Sequence, residues 1–269
     1  MKKIRGLFLS GLIVFLLSGC SWKGDVALEA EAGAKQLKIG CVEYEPYNYV
    51  NEGGEWIGID ADLAKEACNR LGYEPVFVPV KWNEKDSFLE NGSVDCIWNC
   101  FSMNGREEKY LWAGPYMTSR EVVMVKESSE IRSIADLKGK VLAVQTGTKP
   151  EEMFLEENDL PATGYVYCFR ELQDGMVAMQ QNYVDAVAGH QAFLELYSRN
   201  MSGMYRVLDE PLLISQIGVA FAKDGDQQLA EQFNRILHEM NRNGTVGAIM
   251  KKYEISPAMA VVTEGDESE

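Results

Sequence analysis

Alternating runs of apolar and polar residues interleave along this chain with stretches of helical spacing. Leu37-Lys38-Ile39-Gly40-Cys41-Val42 alternates as a half-buried strand does, and Trp56-Ile57-Gly58-Ile59 predicts a second strand. Asp60 stands where it can cap a helix carrying Leu63, Ala64, Ala67 and Leu71 on one face, and Gly72 stops that helix. Pro75-Val76-Phe77-Val78-Pro79-Val80 predicts a strand. After Asn91-Gly92 the chain enters another at Val94-Asp95-Cys96-Ile97-Trp98. Strand, helix and strand in this order imply parallel pairing through crossovers.

The same rhythm restarts in mid-chain. Ser133-Ile134-Ala135-Asp136-Leu137 predicts a capped helical turn, and Lys140-Val141-Leu142-Ala143-Val144-Gln145 a strand that leads into Thr146-Gly147-Thr148. A helix near 172–181 precedes the strand Val184-Asp185-Ala186-Val187-Ala188. Ile217-Gly218-Val219-Ala220-Phe221 predicts a further strand. Leu229, Phe233, Ile236, Leu237 and Met240 then mark one face of a long helix, which Asn243-Gly244 ends before Thr245 starts another through Tyr253. Two α/β units in series predict two lobes with a cleft between them, where ligands sit at the carboxyl ends of strands beside helix N-termini.

Composition narrows the function classes. The chain has 269 residues, 46% hydrophobic and 25% charged, which suits a folded body and excludes a disordered or polytopic membrane protein. Asp plus Glu number 41 against 26 Lys plus Arg, a net charge of −15 that argues against a nucleic-acid binder, because phosphate recognition needs clustered cations. The basic start Met1-Lys2-Lys3-Ile4-Arg5, the apolar run that follows and Leu17-Ser18-Gly19-Cys20 have the pattern of a secretory signal. Removing residues 1–19 takes away those three positive charges and leaves the mature chain at −18. The apolar run is too short to span a bilayer core of about 30 Å as a permanent helix. Its Leu-Ser-Gly-Cys ending resembles the lipobox of bacterial lipoproteins, which implies that Cys20 is acylated and anchors the protein outside the cytoplasmic membrane. Residues 20–36 read as a flexible tether, and an acidic, disordered tail is expected over 259–269.

The motifs between these ends carry a resemblance. They are Leu37-Lys38-Ile39-Gly40, Tyr44-Glu45-Pro46-Tyr47, Gly58-Ile59-Asp60-Ala61-Asp62-Leu63-Ala64, Asn91-Gly92-Ser93-Val94-Asp95 and Ala113-Gly114-Pro115-Tyr116. Ala135-Asp136-Leu137-Lys138-Gly139-Lys140, Val144-Gln145-Thr146-Gly147-Thr148, Val184-Asp185-Ala186-Val187 and Asn243-Gly244-Thr245 follow in order. Each is weak alone, but as an ordered set the chain resembles the bacterial extracellular solute-binding proteins, family 3, the polar amino acid receptors of ABC importers. The resemblance implies a type II periplasmic-binding-protein-like α/β fold, two α/β lobes with a hinge and a ligand cleft. Lobe 1 would comprise 37–118 and 215–258, lobe 2 would comprise 119–214, and the hinge would cross near 116–118 and 213–217.

It also implies site residues. Arg106 would grip a ligand carboxylate with a bidentate fork, assisted by Ser102, although the spacing between the two is one residue shorter than the family's. Thr148, and the backbone at Lys149, would bind the same carboxylate from the other lobe, where Thr146-Gly147-Thr148 opens a helix whose N-terminus favours anions. Tyr44 and Trp82 fall where aromatic rings sandwich the ligand side chain. Asn99 and Cys100, at the strand exit, are further ligand-contact candidates, whereas Trp98, Trp56 and Trp112 read as packing residues. The family meets the ligand ammonium with an Asp five residues after the one at Asp185, and counting on from there lands on His190. A neutral imidazole accepts a hydrogen bond from an ammonium but does not cancel its charge. Glu43, beside Tyr44, is the acid best placed in sequence to substitute.

The remaining residues add no second chemistry. Cys41, Cys68, Cys96, Cys100 and Cys168 are an odd set expected to be mostly free thiols, although a pair such as Cys41 with Cys96 stays open. His190 and His238 form no metal motif, and neither a dinucleotide fingerprint nor a phosphate loop is present, so no cofactor is implied. The expectation is a monomeric binding protein whose partners are a small carboxylate ligand, a membrane permease and a lipid anchor. Two alternatives share the fold: an enzyme resembling cyclohexadienyl dehydratases, with Glu43 or His190 moving a proton, and a sensory module.

Overall fold

The computed structural model describes residues 34–156, 160–201 and 203–261. The signal segment, Cys20, nearly all of the tether and the tail from 262 onward lie outside the described residues. In chain order the elements are β1 Lys35–Cys41, β2 Tyr49–Val50, β3 Trp56–Ile57, α1 Ile59–Leu71, β4 Tyr73–Pro79, α2 Lys85–Glu90, β5 Cys96–Ser102 and β6 Leu111–Lys126. They continue with β7 Val141–Gln145, α3 Lys149–Leu155, β8 Tyr165–Phe169, α4 Leu172–Gln180, β9 Ala186–His190 and α5 Gln191–Asn200. β10 Tyr205–Val207, β11 Leu213–Phe221, α6 Gln227–Arg242 and α7 Thr245–Lys252 complete them. The tether was expected to run to residue 36, but Lys35 and Gln36 already pair with Tyr73 and Glu74. The tail was expected from 259, but Met259 accepts a hydrogen bond from Thr118 and Val261 donates to Tyr116, so the folded body extends to 261.

Nine strands form one sheet in the order β4-β1-β5-β11-β6-β9-β7-β8, with β10 also on β6. The parallel pairing implied by the strand-helix rhythm holds for β1 with β4 and β5, and for β7 with β8 and β9. The centre departs from it, because β5, β11, β6 and β9 pair antiparallel. There β6 and β11 carry the chain between the two halves of the sheet in opposite directions. β6 is sixteen residues long, pairing with β11 from Leu111 to Glu121 and with β9 from Glu121 to Val125.

Local chemistry sets the helices. Asp60 does not cap α1; Gly58 occupies that position at φ 121°, where a Cβ would stand 2.2 Å from the Tyr47 carbonyl oxygen. Asp60 turns inward instead, fully buried, and accepts hydrogen bonds from Tyr116 Oη (2.7 Å) and the Cys100 amide (2.5 Å). Gly72 ends the helix in the left-handed conformation. The turn at Ile134–Leu137 carries a reciprocal capping box between Ser133 and Asp136. The face of α6 bearing Leu229, Phe233, Leu237 and Met240 is buried, each such side chain contributing about 1.5–3 kcal/mol. Trp98 packs in the same core against Phe233 and Tyr116.

Candidate functional site

The carboxyl ends of β1 and β5 from one half of the sheet face those of β7 and β9 from the other. Between them lies a cavity of about 30 Å³, lined by Val42, Tyr44, Trp82, Asn99 and Cys100 on one side and Gln145, Thr148 and His190 on the other. Such a space holds roughly one water molecule, so a larger solute enters only when the two faces part. Six of the residues singled out in the sequence, Tyr44, Trp82, Asn99, Cys100, Thr148 and His190, therefore share one wall-to-wall cavity. Arg106, Ser102 and Glu43 are not among its lining residues. Glu43 is exposed and lines a separate surface groove with Glu45, Gln173 and Phe193.

The aromatic wall is fixed by packing. Tyr44 is buried, stacks flat on Phe193 of α5 at 4.4 Å and edges against His190 at 6.1 Å. Trp82 reaches across to donate its Nε1–H to the Gly147 carbonyl at 3.2 Å, with its ring against Phe101. Asn99 uses its amide oxygen within its own half, accepting from the Val42 amide (3.0 Å) and Asn48 Nδ2 (2.8 Å). Cys100 is a non-glycine residue at φ 45°, held there by its amide's bond to Asp60. Burial pushes the Cys100 thiol well above its ordinary value and the Asp60 carboxyl up to about 7. Among the described residues all five cysteines are free, and Cys168 alone is exposed.

At one end of the cavity cations gather around the Gly147 turn. Arg106 sits on a loop whose shape is set by Trp112 Nε1, which donates to the Arg106 carbonyl at 3.0 Å, and by Asn104 Oδ1, which accepts from the Gln216 amide at 2.7 Å. Its guanidinium donates to the Ser102 carbonyl at 3.2 Å, covers the Phe101 ring and pairs with Glu152 of α3 at 3.0 Å. That ion pair joins the two halves, and Lys149 shares the same Glu152 at 3.0 Å. Lys85 joins them without any signal in its sequence neighbourhood; it is only 6% exposed, with its ammonium 4.9 Å from the Trp82 ring and 3.5 Å from the Gly147 carbonyl. Burial pulls that ammonium down to about 8, with the Asp86 carboxylate opposing the shift and Arg106 and Lys109 adding to it.

The helix N-terminus offers less to an anion than expected. The Gly147 amide donates to Glu151 Oε2 at 2.6 Å, Pro150 has no N–H, and Thr148 Oγ1 donates to the Gln145 carbonyl at 2.6 Å.

At the other end lies an acid that the sequence reading missed. His190 Nδ1 meets Ser119 Oγ at 3.0 Å, and its Nε2 lies 3.3 Å from Glu121 Oε1. Glu121 is 1% exposed, on β6, directly opposite His190 in the sheet. Hydrogen bonds continue from it through Ser215 (3.2 Å) to Ser102 (3.2 Å). One signal was available: Glu121 is a lone acid opening the apolar run Val122-Val123-Met124-Val125. Gln145, whose side chain donates to the Arg170 carbonyl, also lines the cavity unanticipated.

Comparison with known proteins agrees with this architecture. The chain is 28% identical over 256 residues to the arginine-binding extracellular protein ArtP of Bacillus subtilis (strain 168), covering 94% of this chain and 98% of that one. The structure of an ancestral arginine-binding protein bound to arginine matches with a TM-score of 0.74 at 25% identity, over 82% of this chain and 99% of the other. A substrate-binding protein of an ABC uptake transporter from Streptococcus pneumoniae, with bound histidine, shares the fold at a TM-score of 0.76 and 22% identity, over 85% and 95% of the two chains. Residues 37–256 match the family model as well, and the chain belongs to the bacterial extracellular solute-binding proteins, family 3.

Proposed function

We propose that this chain is the receptor of an ABC importer, anchored outside the cytoplasmic membrane by a lipid on Cys20, and that it captures a small carboxylate-bearing solute, an amino acid. The observation that carries this reading is the cavity lined jointly by strand ends from the two halves of one sheet. Residues 37–118 with 215–258 form one lobe and 119–214 the other, with β6 and β11 as the hinge. A solute that touches both faces binds the shut form with two sets of contacts and the open form with one, so binding draws the lobes together.

Arg106, Ser102 and Thr148 hold the carboxylate, and the ligand's anion displaces Glu152 from the guanidinium. Tyr44 and Trp82 flank the side chain, while Asn99, Cys100 and His190 shape the remaining wall. Glu43 stays at the outer rim. The shut protein passes the solute to a permease and works as a monomer. Binding rather than catalysis is favoured because the buried acid Asp60 has both oxygens bonded behind Cys100, outside the cavity lining. A thermal-shift screen of the amino acids and simple dicarboxylates tests the ligand class, since a ligand of the folded state alone raises the melting temperature. If no carboxylate produces a shift, the proposal fails; turnover of prephenate or arogenate would replace it with an enzymatic one.

A further inference from the structure

Four other carboxylates adjoin the cleft, and each is already engaged or turned away. Glu152 is paired with Arg106 and Lys149, and Glu151 accepts from the Gly147 amide. Asp60 accepts from Tyr116 and Cys100, and Glu43 is exposed in another groove. Glu121 differs. Its Oε1 is met by His190 and Ser215, but its Oε2 is buried without a hydrogen-bond partner among the described residues. An unpartnered buried carboxylate oxygen is costly, and a cation placed nearby removes that cost. Burial is the main reason the Tyr44 phenol and the Cys100 thiol are raised, and Glu121 adds to both, so its field reaches two groups that line the cavity.

His190 cannot serve alone in the arrangement seen. Both ring nitrogens face inward, one to Ser119 and one to Glu121, which leaves neither for a ligand. An imidazole that donates to Glu121 and accepts from Ser119 couples the Glu121 carboxylate to a ring that itself lines the cavity.

Resting on the reading of this cavity as a carboxylate-solute site, we infer that Glu121, acting through His190, is the residue that selects for the ligand's positively charged nitrogen against a plain carboxylate or dicarboxylate. Glu121 is a positioning and charge-balancing residue at a place in the fold distinct from position 190, and it makes an acid at position 190 unnecessary.

The test is a selectivity ratio. Each of the twenty L-amino acids that shifts the melting temperature is titrated by calorimetry alongside its des-amino carboxylic acid. The proteins compared are wild type, Glu121→Gln, Glu121→Asp and the double variant Glu121→Gln/His190→Asp. Wild type should prefer the amino acid by about a hundredfold or more, and Glu121→Gln should cut that preference to about tenfold or less while leaving the des-amino affinity nearly unchanged. Glu121→Asp should keep most of the preference, and the double variant, with its acid restored one strand away, should recover it even if Glu121→Gln alone folds poorly. Equal weakening of both ligands by Glu121→Gln with no recovery in the double variant would mark Glu121 as merely structural and overturn the inference. So would a wild type that binds the des-amino acid as tightly as the amino acid, a result that leaves the carboxylate reading standing. Silence from amino acids and des-amino acids alike would instead remove the carboxylate reading, and the inference with it.

Discussion

Arg106→Ala separates the ligand claim from the architecture. In the structure the Arg106 side chain makes three contacts: an ion pair with Glu152 at 3.0 Å, a bond to the Ser102 carbonyl at 3.2 Å and a ring contact with Phe101. The pair is only partly exposed, at 12% and 26%, so it is worth more than an open surface pair, and Glu152 keeps Lys149 when the guanidinium is gone. Truncation should therefore lower the stability of the free protein by about 1–2 kcal/mol, which at roughly 2–4 °C per kcal/mol for a domain of this size is a modest shift in melting temperature. Binding should suffer more, because a ligand carboxylate desolvated opposite Trp82 and Thr148 would lose its charged partner. That loss is about 2–5 kcal/mol, or roughly thirtyfold to several thousandfold in Kd. Isothermal titration calorimetry with the best amino acid from the thermal screen reads the second quantity, and a melt of the free protein reads the first. An affinity within about threefold of wild type, in a variant that still shows the small loss of stability, would refute the assignment of Arg106 to the ligand.

Other outcomes follow from the same coordinates. Gly58→Ala places a methyl group 2.2 Å from the Tyr47 carbonyl at a φ of 121°, and should cost about 3 kcal/mol or more in urea denaturation, with loss of expression as the extreme result. Trp82→Phe keeps the ring but removes the bond to Gly147; it should weaken ligand binding by about fivefold, mainly through a faster dissociation rate in stopped flow. Lys85 holds its proton less tightly in the folded protein, at about 8, than the ordinary 10.5. Between those values the unfolded chain carries more protons, so stability should rise with pH across that window, by up to about 3 kcal/mol. The rise should be smaller by that amount in Lys85→Met, and an identical pH profile in the two proteins would contradict it.

Much of the local order was legible in the sequence, because it rests on near-neighbour chemistry. The strand and helix rhythm, Gly72 as a stop and the Ser133–Asp136 capping box all follow from residues a few positions apart. What escaped depends on distant partners. Asp60 has the residue type of a cap, but two donors from Tyr116 and Cys100 draw it inside. β6 contains Gly114-Pro115 and mixed polar residues, and only its pairing with β11 and β9 shows it to be one strand. In the site, the aromatic rings and His190 were placed by motif. Glu121 and Lys85 were not, because their relevance comes from facing residues 69 and 62 positions away in His190 and Gly147. Glu43 was chosen for its closeness to Tyr44 along the chain, but neighbours on an extended segment point to opposite sides, and it faces solvent.

The two long antiparallel strands at the sheet's centre do not stand alone. Ala260 bridges to Met117 and Val261 bonds to Tyr116, so these two residues lie as a third ply along β6 where it leaves the first half of the sheet. A ribbon of two strands twists readily, and a splint along one edge stiffens it. Cargo fused after Val261, or cleavage just before Ser256, would therefore act on the flexural stiffness of that ribbon. On the proposed closure of the two lobes, the rate of opening would thus be tuned from a position remote from every wall of the cavity.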